Sequence, residues 1–172
     1  EPKGSFFLME KNMAIKYKID KHTVAFPTKC LASNGGKHIY NIHITEDVDN
    51  GFFVGKGEYE ALDLYKEAAP TTFEGTVLDV AANGNFYVEV TSAVNALFVY
   101  TVPMIEEDYT NRFKATSNFY NEKDSVVRAY ELAVGDILEI SAEGFDATPT
   151  KGKTVELKEI VGSTAKKLAD KA

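Results

Sequence analysis

The stretch Asn83-Gly84-Asn85-Phe86-Tyr87-Val88-Glu89-Val90 decides the fold class. Phe86, Val88 and Val90 alternate with Tyr87 and Glu89, and this period of two places one apolar row on one face of a half-buried strand. Asn83-Gly84 supplies residues that tolerate positive φ, and Thr76–Val80 lies on the other side of that turn. Two strands joined this way form a hairpin, here with a slightly longer loop than the tightest kind.

The same period recurs on both sides. Ile15, Tyr17 and Ile19 alternate with Lys16 and Lys18, and Tyr40, Ile42 and Ile44 alternate with Asn41 and His43. Leu138 and Ile140 flank Glu139, and Val155 and Leu157 flank Glu156. The run Ala96–Val102 is apolar on both faces and reads as a central strand. Asn34-Gly35-Gly36, Asn50-Gly51 and Gly135-Asp136 mark further turns. Pro70, Pro103 and Pro149 punctuate strand ends, because proline cannot donate to a ladder. Short strands between turn signals predict a mainly β fold, a barrel or sandwich of short antiparallel strands with one short helix.

That helix is expected over Ile105–Lys114. Ile105, Tyr109 and Phe113 recur every fourth residue, acidic residues fill the first turn, and Arg112 and Lys114 close the last. In Glu58–Ala69, Tyr59, Leu62, Leu64 and Tyr65 fit neither period, and the alternation of Leu62 and Leu64 about Asp63 favours strand for the second half. Asn111–Asp124 reads as a long excursion, of the kind that often carries function. Met13-Ala14-Ile15 looks like a second start, so residues 1–12 are expected to be an arm or an expression remnant. Residues 13–162 are expected to form a single β-rich domain, with a soft boundary near Pro70-Thr71-Thr72. Residues 163–172 are expected to be a C-terminal tail, a short helix or a frayed end.

Composition narrows the class. The chain has 172 residues, 44% hydrophobic and 26% charged, enough to build a core without staples and unlike a disordered or collagenous chain. No apolar run approaches a membrane span, so no membrane partner is expected. Nineteen basic against 26 acidic residues give a net charge of −7, which speaks against general binding to nucleic-acid phosphates. Cys30 is the single cysteine, so an intrachain disulfide is impossible and the thiol reads as a small packed residue rather than a nucleophile.

Nothing in the chain assembles a recognisable catalyst, and neither cofactor nor metal is expected. Asp47-Val48-Asp49-Asn50-Gly51 approaches a calcium loop, but Gly51 stands where a third oxygen ligand belongs, so a turn with acidic shoulders is favoured. Glu106-Glu107-Asp108 reads as charge at a helix N-terminus. His38 and His43, five apart on one strand, would face opposite ways and cannot chelate together. No Gly-x-Ser-x-Gly elbow and no phosphate loop occurs. The aromatics are numerous, with 11 Phe and 9 Tyr. Phe52, Phe53, Phe113, Phe119 and Tyr120 lie in or beside expected loops, where aromatics anchor partner interfaces, and they are the candidate contact residues. Ordinary core packing is the bland alternative for all five.

Three stretches carry a resemblance. They are Asp47-Val48-Asp49-Asn50-Gly51-Phe52-Phe53-Val54 with Lys56-Gly57-Glu58-Tyr59; Asn118-Phe119-Tyr120-Asn121; and Val126-Val127-Arg128-Ala129-Tyr130-Glu131-Leu132-Ala133-Val134-Gly135-Asp136-Ile137-Leu138-Glu139-Ile140-Ser141. Over roughly residues 35–160 the chain resembles small auxiliary structural proteins of tailed bacteriophages and prophages of Gram-positive hosts. The resemblance implies a non-enzymatic capsid decoration or cement protein, found in the virion and assembled in the host cytoplasm. Its partner would be the major capsid protein lattice, and a homotrimer would suit capsid threefold axes. Residues 1–14 would serve as an arm. Two alternatives stay open: an OB-type nucleic-acid-binding barrel, permitted by strand count and aromatics, and a carbohydrate- or host-surface-binding module of a fibre or tail. A hydrolase with a carboxylate pair has no local support.

Overall fold

The computed structural model describes residues 21–105 and 115–172. The proposed arm, the Ile15–Ile19 alternation, Phe113 and all of the expected helix except Ile105 lie outside the described residues. Among the described residues eleven strands form one sheet: β1 (Ala25–Lys29), β2 (Ile39–His43), β3 (Phe53–Ala61), β4 (Leu64–Ala68), β5 (Thr72–Val80), β6 (Phe86–Val94), β7 (Leu97–Val99), β8 (Val126–Glu131), β9 (Ile137–Ile140), β10 (Thr154–Glu159) and β11 (Lys166–Asp170). Among the described residues the helical pieces are 3-10 turns at Leu31–Ser33, Thr116–Asn118 and Ala142–Gly144. The expected mainly β class is therefore the observed one.

The C-terminal tail needs correction. Lys166–Asp170 is neither helical nor frayed; it is strand β11, paired antiparallel with β10 from Glu159↔Lys166 to Val155↔Asp170. Its Leu168 is fully buried. The small residues and paired lysines concealed a strand whose one apolar anchor is surrounded by polar neighbours.

Closure follows from the pairings. β3 pairs with β4, β4 with β2, β2 with β8, β8 with β7, and β7 again with β3, which closes a five-strand barrel. Within it β2 and β4 run parallel, and every other contact is antiparallel. The remaining strands run β1-β9-β6-β5-β10-β11 and join the barrel where Lys166 of β11 meets Phe53 of β3. This second section curls back on itself. Phe145, beyond the end of β9, bridges Leu168 of β11 in parallel, and the Asp146 N–H donates to the Leu168 carbonyl at 2.7 Å.

Two hydrophobic cores result. The larger gathers Phe53, Phe73, Phe86, Phe98, Tyr130, Leu138, Ile140, Phe145, Val155 and Leu168. The smaller, inside the closed barrel, gathers Ile42, Ile44, Val48, Val54, Leu97, Val99, Val127, Ala129 and Ala165. Strands β3, β7 and β8 form the wall between them. Phe53, Phe98 and Tyr130 point one way, and Val54, Leu97, Val99, Val127 and Ala129 point the other. Successive side chains on a strand face opposite sides, so a shared wall must be apolar on both. This is why Leu97–Val99 lacks the alternation seen elsewhere; the strand expected over Ala96–Val102 is shorter, ending at Val99, and Val102 is exposed.

The soft boundary at Pro70-Thr71-Thr72 coincides with the passage from β4 to β5, out of the closed barrel and into the larger section. The chain then returns through β7 and β8 to complete the barrel, so no single cut separates the two cores.

Candidate partner-contact surface

The first and second resembling stretches, far apart in sequence, meet in space. Val48 and Asn121 form an antiparallel bridge with reciprocal backbone bonds of 3.0 and 2.9 Å. Asn121, buried, donates from Nδ2 to the Val48 carbonyl at 3.0 Å and to Asn50 Oδ1 at 3.2 Å. Asn50, also buried, donates to the Thr101 carbonyl at 2.8 Å and accepts the Thr101 N–H at 3.0 Å. The buried Asn50 and Asn121 side chains are thus both hydrogen-bonded, and a buried polar network whose members are paired orders its surroundings.

The acidic shoulders of the turn act as backbone acceptors. Asp47 accepts the Lys123 N–H at 2.8 Å, and Asp49 accepts the Thr23 N–H at 2.8 Å and pairs with His22 Nδ1 at 2.7 Å. Gly51 has φ +88°, and a Cβ there would lie 2.7 Å from the Ala25 Cβ. Both facts require glycine. These carboxylates hold a turn, as the sequence predicted. Among the described residues, no group of three or more His, Cys, Asp or Glu is placed to hold a metal ion.

The predicted contact residues separate. Phe53 is fully buried and lies 4.6 Å from Phe73 and 5.8 Å from Phe98 between ring centroids. This corrects the expectation for Phe53: a side chain with no exposed surface packs the core and offers nothing to a partner. Phe52 is half-buried against the smaller core. Phe119 and Tyr120 are half-buried in the seam, with Tyr120 stacked on His22 at 4.7 Å. Burial, then the charges of Asp47 and Glu122, push the Tyr120 hydroxyl above the usual tyrosine range. Phe113 lies outside the described residues.

The sequence missed a second aromatic group. β3 and β4 form a hairpin whose end, Glu58 through Asp63, is exposed, while β4 stays paired with β2 from Leu64 onward. Leu62 at its tip is 90% exposed and Tyr59 is 62% exposed. Tyr65 packs edge-on against Tyr59 at 5.9 Å and against Tyr40 at 5.8 Å. Lys56 Nζ sits 4.2 Å from the Tyr40 ring centroid and 4.9 Å from that of Tyr65, a cation over two aromatic faces. Tyr40 and Tyr65 also pack on the smaller core, so the row of rings runs from the barrel mouth toward the hairpin tip. The signal was present in the sequence: Tyr59, Leu62, Leu64 and Tyr65 fit neither period because Tyr59 and Leu62 are exposed while Leu64 and Tyr65 are half-buried.

The histidines each face a separate carboxylate. His38 Nδ1 lies 2.6 Å from Glu131, and His43 Nδ1 lies 3.1 Å from Glu60. Cys30 is buried, and burial followed by the charge of Asp136 pushes its thiol up to about 12, so the thiolate is not available near neutrality. No helix among the described residues is long and apolar enough to cross a membrane. Comparison with protein-family models, with curated proteins and with solved structures returned no match.

Proposed function

We propose that this protein is a non-enzymatic structural component that binds the outer surface of a phage capsid and decorates or stabilises it. One observation carries the contact role: the β3–β4 hairpin presents Leu62 and Tyr59 to solvent at the end of a braced row of tyrosines. An isolated exposed apolar residue is ordinary, but an aromatic row beside an exposed leucine at a hairpin turn is what an anchor requires. The capsid as partner rests on the resemblance of residues 47–59, 118–121 and 126–141 to phage auxiliary proteins. Weak contacts repeated over a symmetric lattice add by multivalency. The seam surface around Phe119 and Tyr120 supplies a second patch.

The test is cosedimentation of the protein with purified capsids of a phage encoding it, followed by imaging for density above the shell. Leu62→Ser combined with Tyr59→Ser is expected to reduce occupancy strongly, and Phe119→Ala with Tyr120→Ala to reduce it less. A wild-type protein that stays in the supernatant overturns the proposal.

A second reading has a specific observation behind it. Followed from β7 through β8, β2 and β3 to β4, the closed barrel has the pairing order of an OB barrel entered at a shifted start, parallel contact included. Against a nucleic-acid role stand the net charge of −7 and the carboxylates Glu60, Asp63 and Glu131 beside the exposed face. Titration of labelled single-stranded DNA at low salt separates the readings, because true backbone binding weakens steeply as salt rises.

A further inference from the structure

The chain contains three Asn-Gly steps, at Asn34-Gly35, Asn50-Gly51 and Asn83-Gly84. Each has the local chemistry for spontaneous deamidation. The backbone nitrogen of the glycine attacks the asparagine Cγ, the Cγ–Nδ2 bond breaks, and ammonia leaves with the proton lost from the amide. A cyclic imide remains, and water opens it at either carbonyl to give aspartate or isoaspartate. Glycine favours the reaction because no side chain hinders the approach of its nitrogen. The reaction needs a carboxamide free to turn and a glycine N–H free to leave its bond.

The fold treats the three steps differently. Asn50 is 2% exposed; its Oδ1 accepts from Thr101 at 3.0 Å and its Nδ2 donates to Thr101 at 2.8 Å. The Gly51 N–H donates to the Val99 carbonyl at 2.8 Å. Asn83 is exposed, yet it is tied as firmly. Its Nδ2 donates to Glu139 at 2.7 Å, its Oδ1 accepts the Asn85 N–H at 3.0 Å, and the Gly84 N–H donates to Ala81 at 2.9 Å. Asn34 is exposed, and its carboxamide has no partner among the described residues. The Gly35 nitrogen donates to none of them either, and a Cβ at Gly35 or Gly36 would meet nothing within 4 Å. Only the Asn34 N–H is engaged, with the Leu31 carbonyl at 2.9 Å. Asn34 rests at ψ 98°, so ring closure requires the Asn34–Gly35 peptide plane to rotate, and no bond opposes that rotation.

We propose that Asn34-Gly35 is a modification site of the folded protein, converting to an aspartate and isoaspartate mixture while Asn50 and Asn83 are held intact by their hydrogen bonds. The product adds one negative charge to a chain already at −7, at the end of the Leu31–Ser33 turn, and isoaspartate lengthens the backbone there by one carbon. Comparison of Asn34 with Asn83 isolates the cause, because both are exposed and both precede a glycine at positive φ.

The experiment incubates the full chain, folded and in denaturant, in mildly alkaline buffer, and follows each Asn-Gly peptide by mass spectrometry with isoaspartate-specific enzymatic methylation. In the folded protein the gain of one dalton is expected at Asn34, with Asn50 and Asn83 at least about tenfold slower because they react only through local opening. In denaturant the three rates converge. Glu139→Ala, which removes the acceptor of the Asn83 Nδ2 and leaves the Oδ1 bond to Asn85 in place, is expected to accelerate Asn83 in part and leave Asn34 unchanged. Equal rates at Asn34 and Asn83 in the folded wild type overturn the proposal, as does an Asn34 that is no faster folded than Asn50.

Discussion

The two cores are built to different plans from the same strands. The larger is aromatic, with Phe53 against Phe73 and Phe98, Phe86 against Phe145, and Tyr130 in the same cluster. The smaller is aliphatic, with valines, isoleucines, alanines and Leu97, and its Val48 is bridged to the buried Asn121, which bonds Asn50. A five-strand barrel has a narrow interior, and small branched side chains fill it where rings would not. The open, curled section has more room and takes the phenylalanines. Alternation along β3, β7 and β8 sends each residue to the core that its size suits. The wall thus makes neither core complete without the other, and unfolding should be a single transition.

The largest expected effect tests that wall. Phe53→Ala removes a fully buried ring from the aromatic core and should cost about 3–5 kcal/mol by denaturant unfolding. Leu97→Ala, on the aliphatic side, should cost about 2–5 kcal/mol and shift the same single transition. Two separated transitions in either variant would show that the cores are independent. Cys30 sharpens the comparison, since it is buried in the aromatic core and unreactive when folded. Its labelling by a thiol reagent should speed up in Leu97→Ala as well as in Phe53→Ala, because opening is shared. Labelling unchanged in Leu97→Ala would break the link.

A smaller effect is expected where a loop of the open section is fastened to the barrel. Glu46 Oε1 accepts from Ser163 Oγ at 2.7 Å, from the Thr164 N–H at 2.5 Å and from the Ala165 N–H at 3.1 Å. Glu46→Ala should cost about 1.5–3 kcal/mol in unfolding free energy, the range for hydrogen bonds to a charged group. The hairpin stands at the other extreme. Leu62→Ser should change stability by less than about 0.5 kcal/mol while reducing capsid occupancy, which separates contact from folding.

The smallest effect is a pH dependence. Burial holds the Glu67 carboxyl above the usual carboxylate range, and its two bonds from Thr45 only partly offset this. A raised folded value means that protonation favours the folded state. The contribution is full below the unfolded value and is lost as pH rises through the folded one. The stability of the wild type relative to Glu67→Gln should therefore fall from acid to neutral pH. A difference that stays flat would remove Glu67 as its source.

Much of the fold was legible because a half-buried strand writes its face into every second residue. Phe86, Val88 and Val90 did so, as did Leu138 with Ile140, and the Asn83-Gly84 turn joined β5 to β6 as expected. The candidate surface was less legible. Loop context nominated Phe52, Phe119 and Tyr120, which are half-buried, but Phe53 looked the same as Phe52 in sequence and went to the core. The Tyr40, Tyr59, Tyr65 and Lys56 group could not be read, since it unites residues of three strands. Strand β11 was missed because its burial depends on Leu168 alone.

By itself the sequence determined that the chain is β, where many of its turns lie, and that its surface is acidic, because period, turn chemistry and charge are local properties. The tertiary structure decided which strands close into a barrel, which run parallel, and which of two adjacent phenylalanines is hidden. Those outcomes depend on hydrogen bonds between residues distant in the chain and on the volume each core can hold, and neither quantity is encoded in any short stretch.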